Sequence, residues 1–263
     1  DIEEILIKEK PDLVLVYGDT NSTLAGALAA SKLLIPVAHV EAGLRSFNMT
    51  MPEEQNRILT DHISKYLFAP TETAIQNLSK EGIIENVHNV GDIMYDAILD
   101  FSSLAKQKSN IISKLGLEGK EYILATIHRA ENTNDPIKLK NIINAFNRSG
   151  KKVILPLHPR TKKYISEYKL EFASNVKVMG SGKIVTDSGG VQKEAFFLSK
   201  PCITMRNETE WIETVDNGWN VLVGTDSDKI CYNILNFAPK EKKNNYFGDG
   251  NTAQKIVQIL NAN

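Results

Sequence analysis

Short, almost wholly apolar runs alternate along this chain with longer segments whose apolar residues recur every three or four positions. The short runs are DLVLVYG (12–18), PVAHV (36–40), YLFAP (66–70), VHNVG (87–91), YILATIH (122–128), KVILPLH (152–158), KIVTDSGG (183–190) and PCITM (201–205). Runs this short and this uniformly apolar predict strands buried on both faces. Between them NSTLAGALAASKLL (21–34), PEEQNRILTDHIS (52–64) and DPIKLKNIINAFNRS (135–149) carry helical periodicity, and the opening DIEEILIKEK reads as an amphipathic helix feeding PDLVLVYGD. Strands and helices in alternation predict parallel sheets covered by helices, an α/β protein.

The alternation pauses over residues 92–121, a long helical stretch with polar flanks. It predicts a bridge between two doubly wound, Rossmann-like domains, 1–103 and 104–263, with a last helix at about 250–263 packing back on the first. In such sheets ligands bind beyond the carboxyl ends of the strands, so the polar residues just after each strand are the candidates for chemistry. The charged PKEKKNN (239–245) reads as a solvated loop.

Composition narrows the partners. A formal charge of −1 provides no basic field for nucleic acid or a membrane surface, which leaves small molecules. No apolar run approaches the roughly twenty residues of a membrane helix, and the first residues lack a basic-then-apolar signal, so a cytoplasmic protein is expected. Cys202 and Cys231 form no CxxC pair and read as buried thiols of a reducing compartment. The five histidines show no HxxxH or HExxH spacing, and GxSxG, Walker and GxGxxG loops are absent, so neither a metal nor a nucleotide cofactor is expected.

Polar clusters mark the strand ends. In TDSGGVQKEA, Ser188, Gly189 and Gly190 join a strand to a helix, so N–H groups, a hydroxyl and the positive helix end suit a phosphate. Glu194, one turn on, suits ribose hydroxyls as well as it suits a solvated helix face. HRAEN (128–132) offers His128 as a donor and Arg129 as a two-pronged phosphate ligand, and HPRT (158–161) adds His158 and Arg160. In VYGDTNST, Asp19 follows a strand, where helix capping alone would account for it. HVEAGLRSFNMTMPEEQNR brings Glu41, Arg45, Glu53, Glu54 and Arg57, although acids in a first helical turn need only the helix dipole. Carboxylates gathered at one sheet edge push each other's pKa apart, as acid–base chemistry requires.

Taken together, VYGDTNST, HVEAGLRSF, MPEEQNR, HRAEN, HPRT, TDSGGVQKEA and YFGDGNTAQKIV resemble the UDP-N-acetylglucosamine 2-epimerase family over nearly the whole chain. The resemblance implies a glycosyltransferase-B-like fold and a two-stage reaction without cofactor. UDP leaves as the C2 proton of the sugar is removed, giving a glycal; UDP and the proton then return, the proton on the other face. It implies Asp19, Glu41 and Glu53 as acid–base carboxylates, and His128 as a catalytic residue at a UDP-binding position. Arg45 and Arg57 match the sugar and regulatory side, and His158 matches a histidine in the cleft; Arg129, next to His128, is kept as a substrate ligand on its own chemistry. Ser188, Gly189, Gly190 and Glu194 match UDP ligands, and Arg206 an arginine near the diphosphate. A homodimer serving surface-polysaccharide synthesis is the family's usual setting.

Four departures qualify the match. The chain starts downstream of the family's first strand and glycine–arginine loop, so an incomplete N-terminal domain is expected. A helix usual before the TDSGG strand is lacking near residues 180–183. Lys193 stands where an acid is common, and Trp211 stands where an arginine–proline pair is common. Trp211 and the short RSFNMTMPEE loop also resemble 2-epimerases of UDP-2,3-diacetamido-uronic acids. A hydrolysing epimerase, a glycosyltransferase of the same architecture and an inactive truncated relative are the other readings.

Overall fold

The structure, a computed structural model, describes residues 1–177, 183–239 and 242–262. The chain divides into two compact units, Asp1–Asp100 with Asn245–Asn263, and Phe101–Asn244. The junction at 180–183 falls, for residues 180–182, outside the described residues.

The first unit runs α1 (Ile2–Glu9), β1 (Val14–Tyr17), α2 (Asn21–Lys32), β2 (Val37–Val40), α3 (Pro52–Ile63), β3 (Tyr66–Ala69), α4 (Glu72–Lys80) and β4 (Val87–Asn89), then enters α5 (Ile93–Lys108). Its four strands pair in sequence order, all parallel. β2 and β3 are buried at every position because helices cover both faces, which is why their sequences read as apolar runs, interrupted in β2 by His39. Phe68, Ala38, Val40 and Val90 form a core cluster with Ile256 and Ile259 of the C-terminal helix. Burying a side chain such as Phe68 or Ile256 contributes about 1.5–3 kcal/mol, enough to bind that helix to this sheet.

The second unit contains α6 (Ile111–Lys114), β5 (Ile123–Thr126), α7 (Ala130–Thr133), α8 (Pro136–Arg148), β6 (Val153–Ile154), α9 (Pro159–Glu167), β7 (Val176–Lys177), β8 (Lys183–Thr186), α10 (Gly189–Phe197), β9 (Cys202–Thr204), α11 (Ile212–Asp216), β10 (Asn220–Leu222) and α12 (Ser227–Asn236); α13 (Thr252–Asn261) belongs to the first. α8 shows how the sequence sets an element. Asp135 caps it, accepting from the Ile137 and Lys138 N–H groups at 2.9 and 3.1 Å, and Pro136 sits at the first position, where no N–H is needed. Leu139, Ile142, Ile143 and Phe146 then line its buried face.

The sheet order is β10-β9-β8-β5-β6-β7, all parallel. From β5 the chain moves outward through β6 and β7, then returns to place β8 on the other side of β5. The carboxyl ends of β5 and β8 therefore flank a topological switch point, where doubly wound sheets open a crevice.

Two expectations need correction. The strand expected over 152–158 ends at Ile154, because Pro156 has no N–H to continue a ladder and the chain turns toward α9. The cysteines are not alike: Cys202 is fully buried on β9, where burial pushes its thiol up to about 12, while Cys231 is only half-buried on α12.

Candidate active site

In the second unit the switch point carries the predicted anion-binding groups. Thr126 and Thr186, paired across β5 and β8, share a hydroxyl hydrogen bond of 2.6 Å, and the Ser188 N–H donates to Thr186 at 2.9 Å. Ser188 caps α10, its hydroxyl accepting from the Val191 N–H at 3.5 Å. His128, His158 and Ser188 line one cavity of about 310 Å³ with Thr126, Pro156 and Val191. The two imidazole centroids lie 6.2 Å apart. His158 caps α9 by accepting the Arg160 N–H on Nδ1 at 3.2 Å, which leaves Nε2 as its donor toward a ligand. Gly189 and Gly190 begin α10 and Glu194 lies half-buried one turn further. Arg129, at the start of α7, is 3.8 Å from Glu131.

The residue that organises this edge is Asp187, which sequence reasoning passed over as part of a motif. It is fully buried and accepts hydrogen bonds from the His128 and Arg129 N–H groups and the Asn132 amide at 3.0–3.2 Å. One carboxylate thus ties the loop after β5 to the end of β8. Arg206 is 4 % exposed, with one guanidinium nitrogen 3.0 Å from Glu210. A Cβ at Gly189 would meet the Glu210 carboxylate at 2.2 Å, so a larger residue there would have to push that side chain aside. The two departures at 193 and 211 meet each other: the Lys193 ammonium lies 4.3 Å from the centre of the Trp211 ring, a cation–π contact inside the unit.

In the first unit Asp19 stands just beyond β1. Capping does not account for it, because Thr20 caps α2. Its carboxylate, 33 % exposed, receives Arg57 at 2.6 Å, and its backbone carbonyl accepts the Asn56 amide at 2.9 Å. Glu41 follows β2 with φ of 72°, a left-handed conformation that costs a non-glycine residue about 1–2 kcal/mol. Its carboxylate lies over Gly18, 3.6 Å from where a Cβ there would sit, which brings Glu41 close to the residue before Asp19.

The PEE pair divides its work. Glu54 is fully buried and accepts from the Ser46 and Phe47 N–H groups, the Ser46 hydroxyl and Arg57. Glu53 is half-buried and has no hydrogen-bond or ion-pair partner among the described residues. Arg57 therefore joins Glu54 to Asp19 from a fully buried position. Arg45 is equally buried and is committed inward, to Asp61 at 2.7 Å and to both oxygens of Glu81 at 2.7 and 2.8 Å.

Burial would raise the Asp61 carboxyl, but the hydrogen bond and charge of His39, reinforced by Arg45, hold it below its ordinary value of 3.8. The Arg45 hydrogen bond likewise lowers Glu81. A lowered folded-state pKa stabilises the protein above the unfolded value and is lost as pH falls through the folded one. The first unit is thus expected to lose stability on acidification below about pH 4, and Asp61→Asn to flatten that acid limb in thermal melts recorded from pH 6 to pH 2.

The sequence matches the UDP-N-acetylglucosamine 2-epimerase family over residues 1–261. The chain belongs to this family. A UDP-N-acetylglucosamine 2-epimerase homolog of Methanococcus maripaludis is 56% identical over 98% of this chain and 78% of its own length. That alignment runs over 278 positions, more than the chain's 263 residues, so the relative carries residues within the matched stretch that this epimerase-family chain lacks. The UDP-2,3-diacetamido-2,3-dideoxy-D-glucuronate 2-epimerase of Pseudomonas aeruginosa is 48% identical over 99% of the chain and 77% of its own length. Among solved structures, Methanocaldococcus jannaschii UDP-GlcNAc 2-epimerase in complex with UDP-GlcNAc and UDP superposes with a TM-score of 0.91 at 46% identity, covering 100% of this chain and 79% of that one. The α/β architecture with parallel sheets is that of these epimerases. Among the described residues no helix is long and apolar enough to cross a membrane.

Proposed function

We propose that this chain is an isomerase interconverting UDP-N-acetylglucosamine and UDP-N-acetylmannosamine by elimination and re-addition of UDP. The observation that carries the reading is the switch point between β5 and β8, where His128, His158 and Ser188 line one cavity beside the N-terminus of α10. A helix N-terminus, a hydroxyl and imidazole donors stabilise negative charge, and negative charge is what accumulates on a departing diphosphate. In this reading Ser188, Gly189, Gly190, Arg129, His158 and Arg206 hold the diphosphate, and Glu194 receives the ribose hydroxyls.

Asp19, Glu41 and Glu53 exchange the C2 proton, and His128 serves the leaving group. General acid–base groups need an open carboxyl, and Glu53 has one whereas Glu54 is spent on the loop at Ser46 and Phe47. Arg57 orients Asp19, while Arg45 acts from behind the site through Asp61. We further take the enzyme to be a cytoplasmic homodimer that supplies a precursor for surface polysaccharide, without metal or nicotinamide.

A second reading rests on the 48% identity to the diacetamido-uronate epimerase, with the same reaction on a charged sugar. Incubation with each UDP-sugar, followed by NMR, decides between them. UDP-N-acetylmannosamine formed from UDP-N-acetylglucosamine supports the first, and turnover of the uronate alone the second. Free N-acetylmannosamine with UDP indicates a hydrolysing enzyme. UDP at a hundred times its Kd is expected to stabilise the fold by about 2.7 kcal/mol, and no rise in melting midpoint would contradict a nucleotide site.

A further inference from the structure

The acid–base reading gives no task to the histidine of one fully buried ionisable cluster, His39 with Asp61 and Arg45. His39, at the end of β2, is 0 % exposed, and both ring nitrogens are engaged. Nε2 lies 2.8 Å from the carbonyl of Gly18 and Nδ1 2.6 Å from Asp61. A carbonyl only accepts, so Nε2 donates to it. The other oxygen of Asp61 receives the Gly43 N–H at 3.1 Å and Arg45 at 2.7 Å.

The two backbone positions reached are telling. Gly18 precedes Asp19, and Gly43 closes the turn that begins at Glu41. Both glycines take left-handed φ angles, 66° and 80°, and Glu41 does so at 72°. Glycine takes such angles freely, but Glu41 does not, and a residue in a sparsely populated conformation persists only where its surroundings over-determine it. Here the surroundings include one imidazole and one carboxylate, beside the Val40 carbonyl that receives the Gly18 N–H and the Asn77 amide that donates to the Gly43 carbonyl.

We propose that His39 is a positioning residue, which through Gly18 on one side and Asp61–Gly43 on the other fixes the two turns that present Asp19 and Glu41. The inference rests on the epimerase reading for what those carboxylates do, but the clamp itself is a property of the fold. A histidine held solely for packing predicts equal loss of every property on substitution. A clamp predicts loss of proton chemistry without loss of nucleotide affinity, because the groups assigned to UDP lie in the other unit. The glutamine amide nitrogen reaches about as far as Nε2, so His39→Gln retains a donor for Gly18, whereas His39→Leu retains none.

The test compares wild type, H39L and H39Q by deuterium incorporation at C2 of UDP-N-acetylglucosamine, UDP affinity, and backbone amide exchange of Gly18 and Gly43 by NMR. H39L is expected to lose about a hundredfold in C2 exchange with UDP affinity unchanged, as large a loss as removing a group that orients a metal ligand causes, and, as the two turns loosen, to exchange both amides measurably faster than wild type. H39Q is expected to stay within about tenfold of wild type in C2 exchange. Folded H39L with wild-type amide protection or wild-type C2 exchange would overturn the clamp, as would an H39Q as impaired as H39L. Should H39L not fold, H39Q decides by the same criteria: near-native exchange supports the clamp and a hundredfold loss overturns it. A wild-type chain that fails to exchange C2, with the amide changes as stated, would instead retire the epimerase reading and leave the clamp standing.

Discussion

Asp19→Asn is expected to bind UDP as the wild type does while losing C2 exchange by about 10²- to 10⁴-fold, the usual contribution of a positioned acid–base group. The substitution is nearly isosteric. Its carbonyl oxygen can still receive Arg57, which donates to Asp19 at 2.6 Å, so the geometry after β1 is preserved and only the titrating group is removed. The neighbouring backbone also stays in place, because the Asp19 carbonyl is held by Asn56 and the Gly18 carbonyl by His39. UDP affinity, from calorimetry, and C2 exchange, from NMR, are therefore separable readouts. Wild-type exchange in D19N would remove Asp19 from the acid–base set. Loss of UDP affinity would assign it to nucleotide binding.

The largest loss of stability is expected from Arg57→Leu. Arg57 is 1 % exposed and is the cationic partner of Glu54, which is 0 % exposed, and of Asp19. Removing one member of a buried ion pair leaves the other charge uncompensated, at about 3–5 kcal/mol. For a unit of this size such a loss lowers the melting midpoint by roughly 10 °C or more. The companion substitution Glu54→Gln removes the stranded charge, so the double variant should recover part of the loss, an interaction a double-mutant cycle measures directly. Thermal unfolding followed by far-UV circular dichroism checks this. R57L within 1 °C of wild type would mean that Arg57 is not the counter-ion of Glu54. Activity should fall too, since Arg57 orients Asp19.

Much of this architecture is legible in the sequence because its signals are local. Apolar runs such as PVAHV and YLFAP become β2 and β3, and Asp135-Pro136 opens α8 as the capping rules predict. What escapes depends on partners distant in sequence. β10 begins at the polar Asn220, yet it pairs with β9, and the buried amide is satisfied there by donating to Gln192 and Thr214 and accepting from Thr204. Nothing in residue type separates Glu53 from Glu54. The distinction comes from the Ser46 and Phe47 N–H groups folding over one of them. Asp187 looks like one more polar residue at a strand end until the His128 and Arg129 N–H groups are seen converging on it. The oddities at Lys193 and Trp211 are single departures in the sequence and one contact in the fold.

Epimerisation itself is read by incubating the wild-type chain with UDP-N-acetylglucosamine in deuterated water and following the sugar C2 by NMR. Deuterium at C2 is expected, with UDP-N-acetylmannosamine accumulating alongside. A chain that binds UDP yet leaves the C2 proton in place, on this sugar and on the diacetamido-uronate, would contradict the epimerase reading.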